Sequence, residues 1–263
     1  MMAGMMGRLA AVALSWAMLT GVCVADYAVY TRSKPDSDGG LLAFFGGNTQ
    51  RIEAHVFNAA EYELCIVDEG DGQPKYGTLE RAMKAHRCCA GVNGGYFAAG
   101  AARKPLGLVR HGGVSIAPFA RGAFTVSGVV YDTGRGVGME RSTQLRTPVS
   151  SMTEGIQGGP FLVEQGRVVP GLEATKSAAR TFIATDGKGR WCLAVSSSLT
   201  LRELAEWLVQ KGAMGDFHVA YALNLDGGSS SAFWDEKAGV SRSGFKAVRN
   251  YVGVRRRAAT GGK

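Results

Sequence analysis

The chain has 263 residues, 46% of them apolar, with no long low-complexity tract, which excludes a disordered or fibrous class and suits one large domain without a linker. Its net charge of +8 is local: residues 237–263 hold eight Lys or Arg and no Asp or Glu, and the remainder is balanced. No aromatic interleaving supports nucleic-acid binding, so residues 255–263, with Arg255-Arg256-Arg257, read as a solvated basic tail capable of weak contact with an anionic surface.

At the N-terminus, Arg8 precedes an apolar stretch over 9–24 that ends in Cys23-Val24-Ala25. This is the pattern of a signal peptide over 1–25, cleaved after Ala25, and implies an exported protein, periplasmic or secreted. A membrane anchor is the rival reading, but about 16 residues interrupted by Ser15, Thr20 and Gly21 fall short of the ~20 that span a bilayer. Lipidation at Cys23 is disfavoured by the preceding Val22. Export would leave Cys65, Cys88, Cys89 and Cys192 in an oxidising compartment, where a disulfide from Cys65 to Cys88 or Cys89 avoids the strain of bridging adjacent residues. His86 beside Cys88-Cys89 is too sparse for a zinc site, and neither metal nor cofactor is expected.

Thirty-eight glycines scattered among short β-branched and aromatic runs predict many strands joined by tight turns. Strands are expected at 52–57, 64–67, 90–92, 106–109, 124–126, 161–163, 181–184, 192–196 and 219–223. Two helices interrupt them: Leu79, Ala82, Met83 and His86 repeat at helical spacing, as do Leu201, Leu204, Ala205 and Leu208. The second opens with Thr200 and Glu203 in capping-box spacing and stops at Gly212. Each helix is followed by a strand and a glycine turn. The fold class is therefore α+β, a mixed, strand-rich core with a few flanking helices in one domain with two helix-strand-turn halves, 26–85 forming the N-terminal part of the same domain as 86–254.

Four clusters carry polar or glycine-rich chemistry. Asn93-Gly94-Gly95-Tyr96-Phe97 has a plain reading as a hairpin turn. Gly158-Gly159-Pro160-Phe161-Leu162 reads as a loop entering a strand, and Arg180 in Arg180-Thr181 as a solvated arginine. Asp226-Gly227-Gly228-Ser229-Ser230-Ser231 reads as an Asx turn. Against these stands the setting of Asp226: a carboxylate at the end of an apolar strand, next to two glycines whose N–H groups can converge on an anion. That makes Asp226 the leading catalytic candidate.

Taken in order, the clusters resemble the phosphodiester glycosidases. The motifs are Asn93 to Phe97, Gly158 to Leu162, Arg180-Thr181, Glu203-Leu204-Ala205, and Leu223 to Ser230, followed by Arg249-Asn250-Tyr251-Val252-Gly253-Val254 as the closing strand. One departure is Ser229, where the family has a third glycine. The resemblance, over roughly 86–254, implies hydrolysis of a glycosyl phosphodiester or phosphate-linked glycan at the anomeric carbon. A phosphate leaving group needs little protonation, so the demand shifts to holding negative charge and an oxocarbenium-like centre. The resemblance then assigns Arg180 to the phosphate, Asp226 to the anomeric carbon, and Asn93 to a sugar hydroxyl or phosphate oxygen. Gly94, Gly158, Gly159, Thr181, Gly227, Gly228, Ser229 and Ser230 become substrate-binding candidates.

A second carboxylate is expected in most glycosidases; Glu164, Glu203 and Asp216 are candidates, with Glu203 weakened by its capping role. Two other classes compete. A serine hydrolase built on Ser229, Ser230 or Ser231 with one of His55, His86, His111 and His218 lacks the Gly-x-Ser-x-Gly elbow. A non-catalytic exported module binding sugar phosphates or cell-wall glycans would need the arginine and the glycine turns but not Asp226.

Overall fold

A computed structural model describes residues 26–33 and 49–258. The expected signal peptide lies outside the described residues, as does 259–263 of the basic end. In chain order the elements are β1 (Asp26–Ser33), β2 (Thr49–Asn58), β3 (Tyr62–Asp68), α1 (Leu79–Ala85), β4 (Ala90–Asn93), β5 (Val109–His111) and β6 (Val114–Ala117). Then come β7 (Gly128–Asp132), β8 (Val137–Arg141), β9 (Glu154–Gly158), β10 (Phe161–Glu164), β11 (Arg167–Val168), β12 (Ala178–Thr185) and β13 (Arg190–Leu199). Helix α2 (Leu201–Leu208) precedes β14 (Tyr221–Asn224), β15 (Phe233–Asp235), β16 (Val240–Arg242) and β17 (Asn250–Arg256). No helix among the described residues is long and apolar enough to cross a membrane.

The strands form three sheets. The first runs β1-β2-β13-β12-β14-β10-β11, the second β16-β15-β4-β17-β3 and the third β6-β5-β9-β7-β8. Alternation along each strand decides what it covers. In β2, Ile52, Ala54 and Val56 pack with Leu201, Leu204 and Leu208 of α2, whereas Phe57 turns inward to a cluster shared with Leu64, Ile66, Val92 and Val254 of the second sheet. In β3, Cys65 and Val67 point outward to Ala82 and Met83 of α1. The layers are thus α2, first sheet, common core, second sheet, α1, with the third sheet adding Val109, Val130 and Ile156 to that core. Helix α2 starts as the sequence predicts, with Thr200 and Glu203 forming a capping box, and α1 is capped by Thr78, whose side chain accepts from Arg81 N–H.

Some expected elements differ. Residues 124–126 form a short 3-10 turn, because only Val126 is buried while Phe124 is exposed; the strand begins beyond it, at Gly128. The strand expected at 106–109 begins only at Val109. Leu108 N–H donates to the Gln157 side chain at 2.8 Å, which takes the place of a ladder bond. The strand placed at 219–223 runs instead over Tyr221–Asn224. Strands β1, β6, β7, β8, β9, β11, β15 and β16 have no counterpart among the expected strands.

The anticipated disulfide is absent: Cys65, Cys88, Cys89 and Cys192 are free thiols. Cys65 and Cys88 pack in one cluster beside α1, where the Cys88 thiol donates to His86 O at 3.9 Å; Cys192 lies on the α2 side of the first sheet, and Cys89 donates to Val254 O at 3.3 Å.

The basic end is not a free tail from residue 255. Arg255 and Arg256 belong to β17; Arg255 pairs with Glu63 at 2.7 Å, and Arg257 reaches Asp132 at 2.8 Å. Asp132 is 1% exposed, so Arg257 neutralises a carboxylate with little access to water. Replacing Arg257 by Ala strands that charge and should cost on the order of 3 kcal/mol in urea unfolding. Arg256→Ala, at an exposed ion pair of 3.7 Å with Glu61, should cost less than about 1 kcal/mol.

Candidate active site

The turns after β4 and β14 are fastened to each other. Asp226 N–H donates to Gly94 O at 3.0 Å, and the Asn93 side chain donates to Asp226 O at 2.7 Å. The Asn93 carbonyl in turn accepts from the Thr181 hydroxyl at 2.7 Å and from Ala232 N–H at 3.0 Å. Asn93 and Thr181 are both fully buried. Their side chains therefore hold the Asp226 turn in place.

Asp226 itself is half-buried. Burial pushes its carboxyl above the ordinary aspartate range, opposed by hydrogen bonds from the Ser230 side chain and Gly227 N–H and by the Lys246 charge. Lys246 sits 5.4 Å over the Phe97 ring. Both Phe245 N–H and Lys246 N–H donate to Ser229 O, at 2.8 and 3.1 Å. A strap formed by 244–246 thus fixes the turn from outside, and Gly244 must be glycine there: a Cβ would sit 2.9 Å from Ser229 O and Ser230 O.

Arg180 lies alongside. A Cβ on Gly227 would come within 3.9 Å of its Cδ and 2.9 Å of Ala179 O. The guanidinium is anchored by Nε to Leu199 O at 2.8 Å and by Nη2 to Lys176 O, with Glu173 at 3.9 Å. Nη1 has no hydrogen-bond partner among the described residues, which leaves one edge of the fork for a ligand. Burial lowers the Arg180 pKa, while Tyr96 and Glu173 act to raise it.

Tyr96 belongs to the same group although its position in the Asn93 motif does not reveal that. Burial and then the Asp226 charge push its phenol up to about 12, offset by Arg180, so it stays protonated at neutral pH. The phenol oxygen accepts from Asn224 Nδ2 at 2.8 Å, and that amide also donates to Gly159 O and Leu225 O. The Tyr96 O–H proton thus remains available. A phenolic donor of this kind is invisible in a motif that tolerates any aromatic.

The glycines divide by role. Gly94 N–H donates to Asn250 O at 2.9 Å, Gly159 N–H to Asn224 O at 2.7 Å, and Gly227 N–H to Asp226 Oδ1 at 2.9 Å. Gly158 lacks a side chain because a Cβ would sit 2.7 Å from Asn224 O. These four serve close backbone packing, and the anion cradle expected at Gly158-Gly159 and Gly227-Gly228 narrows accordingly. Gly228, at φ +63°, and the exposed Ser229 donate no backbone hydrogen bond among the described residues.

The second carboxylates considered from sequence are engaged elsewhere. Glu164 pairs with Arg141, Glu203 caps α2, and Asp216 holds Arg190 at 3.0 Å. His55 pairs with Asp235, His86 with Tyr76 and His111 with Glu154, so none of the three supplies a base to Ser229, Ser230 or Ser231.

Comparison with known proteins places this geometry. The family model described as phosphodiester glycosidase matches residues 86–255. No curated protein sequence matches the chain significantly. Among solved structures, the chain is similar to the catalytic domain of zebrafish N-acetylglucosamine-1-phosphodiester alpha-N-acetylglucosaminidase auto-inhibited by its pro-peptide, with a TM-score of 0.60 and 16% identity over 90% of this chain and 85% of that one. It is also similar to a hypothetical protein from Synechocystis, with a TM-score of 0.55 and 18% identity over 87% of this chain. The chain covers only 62% of the Synechocystis protein. A Burkholderia pseudomallei protein described as exported gives a TM-score of 0.52 at 11% identity, covering 78% and 74% of the two chains. At these identities the likeness is one of fold.

The raised Asp226 pKa has a definite sign for stability. The native state holds the proton more tightly than the unfolded chain, so Asp226 costs stability as pH rises from the ordinary carboxylate range, near ~3.9, through its folded pKa. Asp226→Asn removes that cost. Its urea midpoint should match the unmodified protein at low pH and exceed it at neutral pH; a lower midpoint at neutral pH would show that the ionised carboxylate is stabilising.

Proposed function

The chain belongs to the phosphodiester glycosidase family, and from that membership we propose that it hydrolyses a glycosyl phosphodiester, breaking the bond from the anomeric carbon to the phosphate oxygen. The observation that carries this reading is the pairing of Arg180, with one open guanidinium edge, and a single half-buried carboxylate, Asp226, across Gly227. A phosphate leaves as a weak base, so a site for it needs a charge clamp and one carboxylate, not the acid-and-base pair that an alkoxide leaving group demands.

In this reading Arg180 Nη1 and the N–H groups of Gly228 and Ser229 hold the phosphate oxygens. Asp226 faces the anomeric carbon and stabilises its positive charge, by direct attack or by activating water. Asn93 and Thr181 position that carboxylate without touching substrate. Ser230 orients it, and Lys246 adds positive charge at the rim. Tyr96 donates its proton in a hydrogen bond to the oxygen that departs. An exported site of action belongs to the same proposal, supported by the leader-like pattern at 1–25 and by the exported description of one structural relative.

The direct test is hydrolysis of an N-acetylhexosamine-1-phosphodiester by the purified chain, followed as release of the free sugar and the intact phosphomonoester. Asp226→Asn should lower it by at least roughly 100-fold, and Arg180→Lys, which keeps charge but loses the fork, by about 10- to 100-fold. Binding of the phosphodiester by the unmodified chain without turnover would reduce it to a recognition module.

Tyr96→Phe separates the leaving-group role from a packing role. The loss should be about tenfold or more for a diester with a poor leaving group and shrink toward none as the leaving group improves. An equal loss across leaving groups would mean that the phenol only supports Asn224.

A further inference from the structure

A second constellation lies away from Asp226. Three side chains from three elements line up: Cys89, just before β4; His55, on the inward face of β2; and Asp235, at the end of β15. His55 Nδ1 is 2.6 Å from Asp235 Oδ2, and His55 Nε2 is 3.8 Å from Cys89 Sγ. His55 is 3% exposed and Asp235 1%. Asp235 Oδ1 is fixed by Ala238 N–H at 2.8 Å, and the Cys89 backbone is pinned by Val254 O at 2.8 Å and Glu236 N–H at 2.9 Å. With the carboxylate accepting a hydrogen bond from Nδ1–H, the Nε2 lone pair is left facing the sulfur, and the thiol proton, which rests on Val254 O at 3.3 Å, reaches Nε2 by rotation about the Cβ–Sγ bond. Nothing in the glycosidase reading uses these groups.

We propose that Cys89, His55 and Asp235 form a second nucleophilic site, whose substrate class is a small disulfide. His55 Nε2 takes the proton from Cys89 Sγ, and the sulfur attacks one sulfur of R–S–S–R. The S–S bond breaks, and the departing thiolate takes the proton from His55, leaving a mixed disulfide on Cys89 and one free thiol. Asp235 is a positioning residue that holds the tautomer and steadies the transient imidazolium.

Exposure singles out Cys89: it is partly exposed, whereas Cys65, Cys88 and Cys192 are buried. Burial, with the Asp235 and Glu236 charges, pushes the Cys89 thiol up to about 11. Reactivity therefore depends on transfer of its proton to His55 instead of on standing thiolate.

The purified full chain is treated with oxidised glutathione at neutral pH, and adducts are located by peptide mass mapping over time, folded and in urea. Activation by the relay predicts that Cys89 is modified first and about tenfold faster in the folded chain than in the unfolded one. A Cys89 that reacts more slowly when folded is merely shielded, and the proposal falls. In folded His55→Gln and Asp235→Asn chains the rate should drop about tenfold; an unchanged rate in both would equally overturn it. The comparison of folded and unfolded protein needs no variant, so the outcome stands even where those substitutions prevent folding.

Discussion

The hydrogen bonds around the Asn93 carboxamide join what the strands alone would leave separate. Asn93 ends β4 in the second sheet, Thr181 lies in β12 of the first, and Asp226 follows β14, also of the first. One buried side chain therefore crosses from one sheet to the other and holds the backbone of the turn that carries the carboxylate. Because Asn93 and Thr181 are fully buried, loss of one partner would leave the other unpaired, and the geometry is held far more firmly than a surface turn could be. The bond from Asp226 N–H to Gly94 O makes the tie reciprocal.

Close packing of backbones follows from this tie. Gly94 is pressed against the Asn250 side chain and carbonyl, Gly158 against Asn224 O, and Gly227 against Ala179 O. Side chains at these places would push the sheets apart by more than the few tenths of an ångström that such contacts tolerate. The same compression brings Tyr96 within electrostatic reach of both Asp226 and Arg180, which is visible in its proton affinity. A carboxylate raised by burial beside a phenol kept protonated is the electrostatic setting on which the proposed chemistry rests.

The positive end of the chain is likewise absorbed into the fold. Arg249 is 5% exposed and forks onto Asp68 at 2.7 and 3.0 Å, while Arg255 and Arg257 close onto Glu63 and Asp132. A local excess of positive charge in the sequence becomes, in three dimensions, a set of ion pairs between β17, β3 and the third sheet. Charge counted along the chain overstated what is offered to an anionic surface, because the balancing acids lie 100 or more residues upstream.

The sequence by itself determined the elements with the strongest local signals. Capping at Thr200, the apolar stripes of α1 and α2, and the buried runs of β2, β12 and β13 depend on near neighbours, so they could be read directly. The order of the turn motifs was equally legible, and with it the family. Tertiary structure decided which motif residues face outward. Asn93 and Thr181 look like ligand-binding polar residues in the sequence, yet their partners come from elements 88 to 139 positions away. The glycine turns at 158–159 and 227–228 look like an anion cradle, yet the N–H groups of Gly159 and Gly227 are taken by Asn224 O and by Asp226 itself. Periodicity tells which face of a strand is covered but not by what. The placement of Tyr96 and the meeting of Cys89 with His55 and Asp235 are long-range contacts, fixed only when the sheets close on one another.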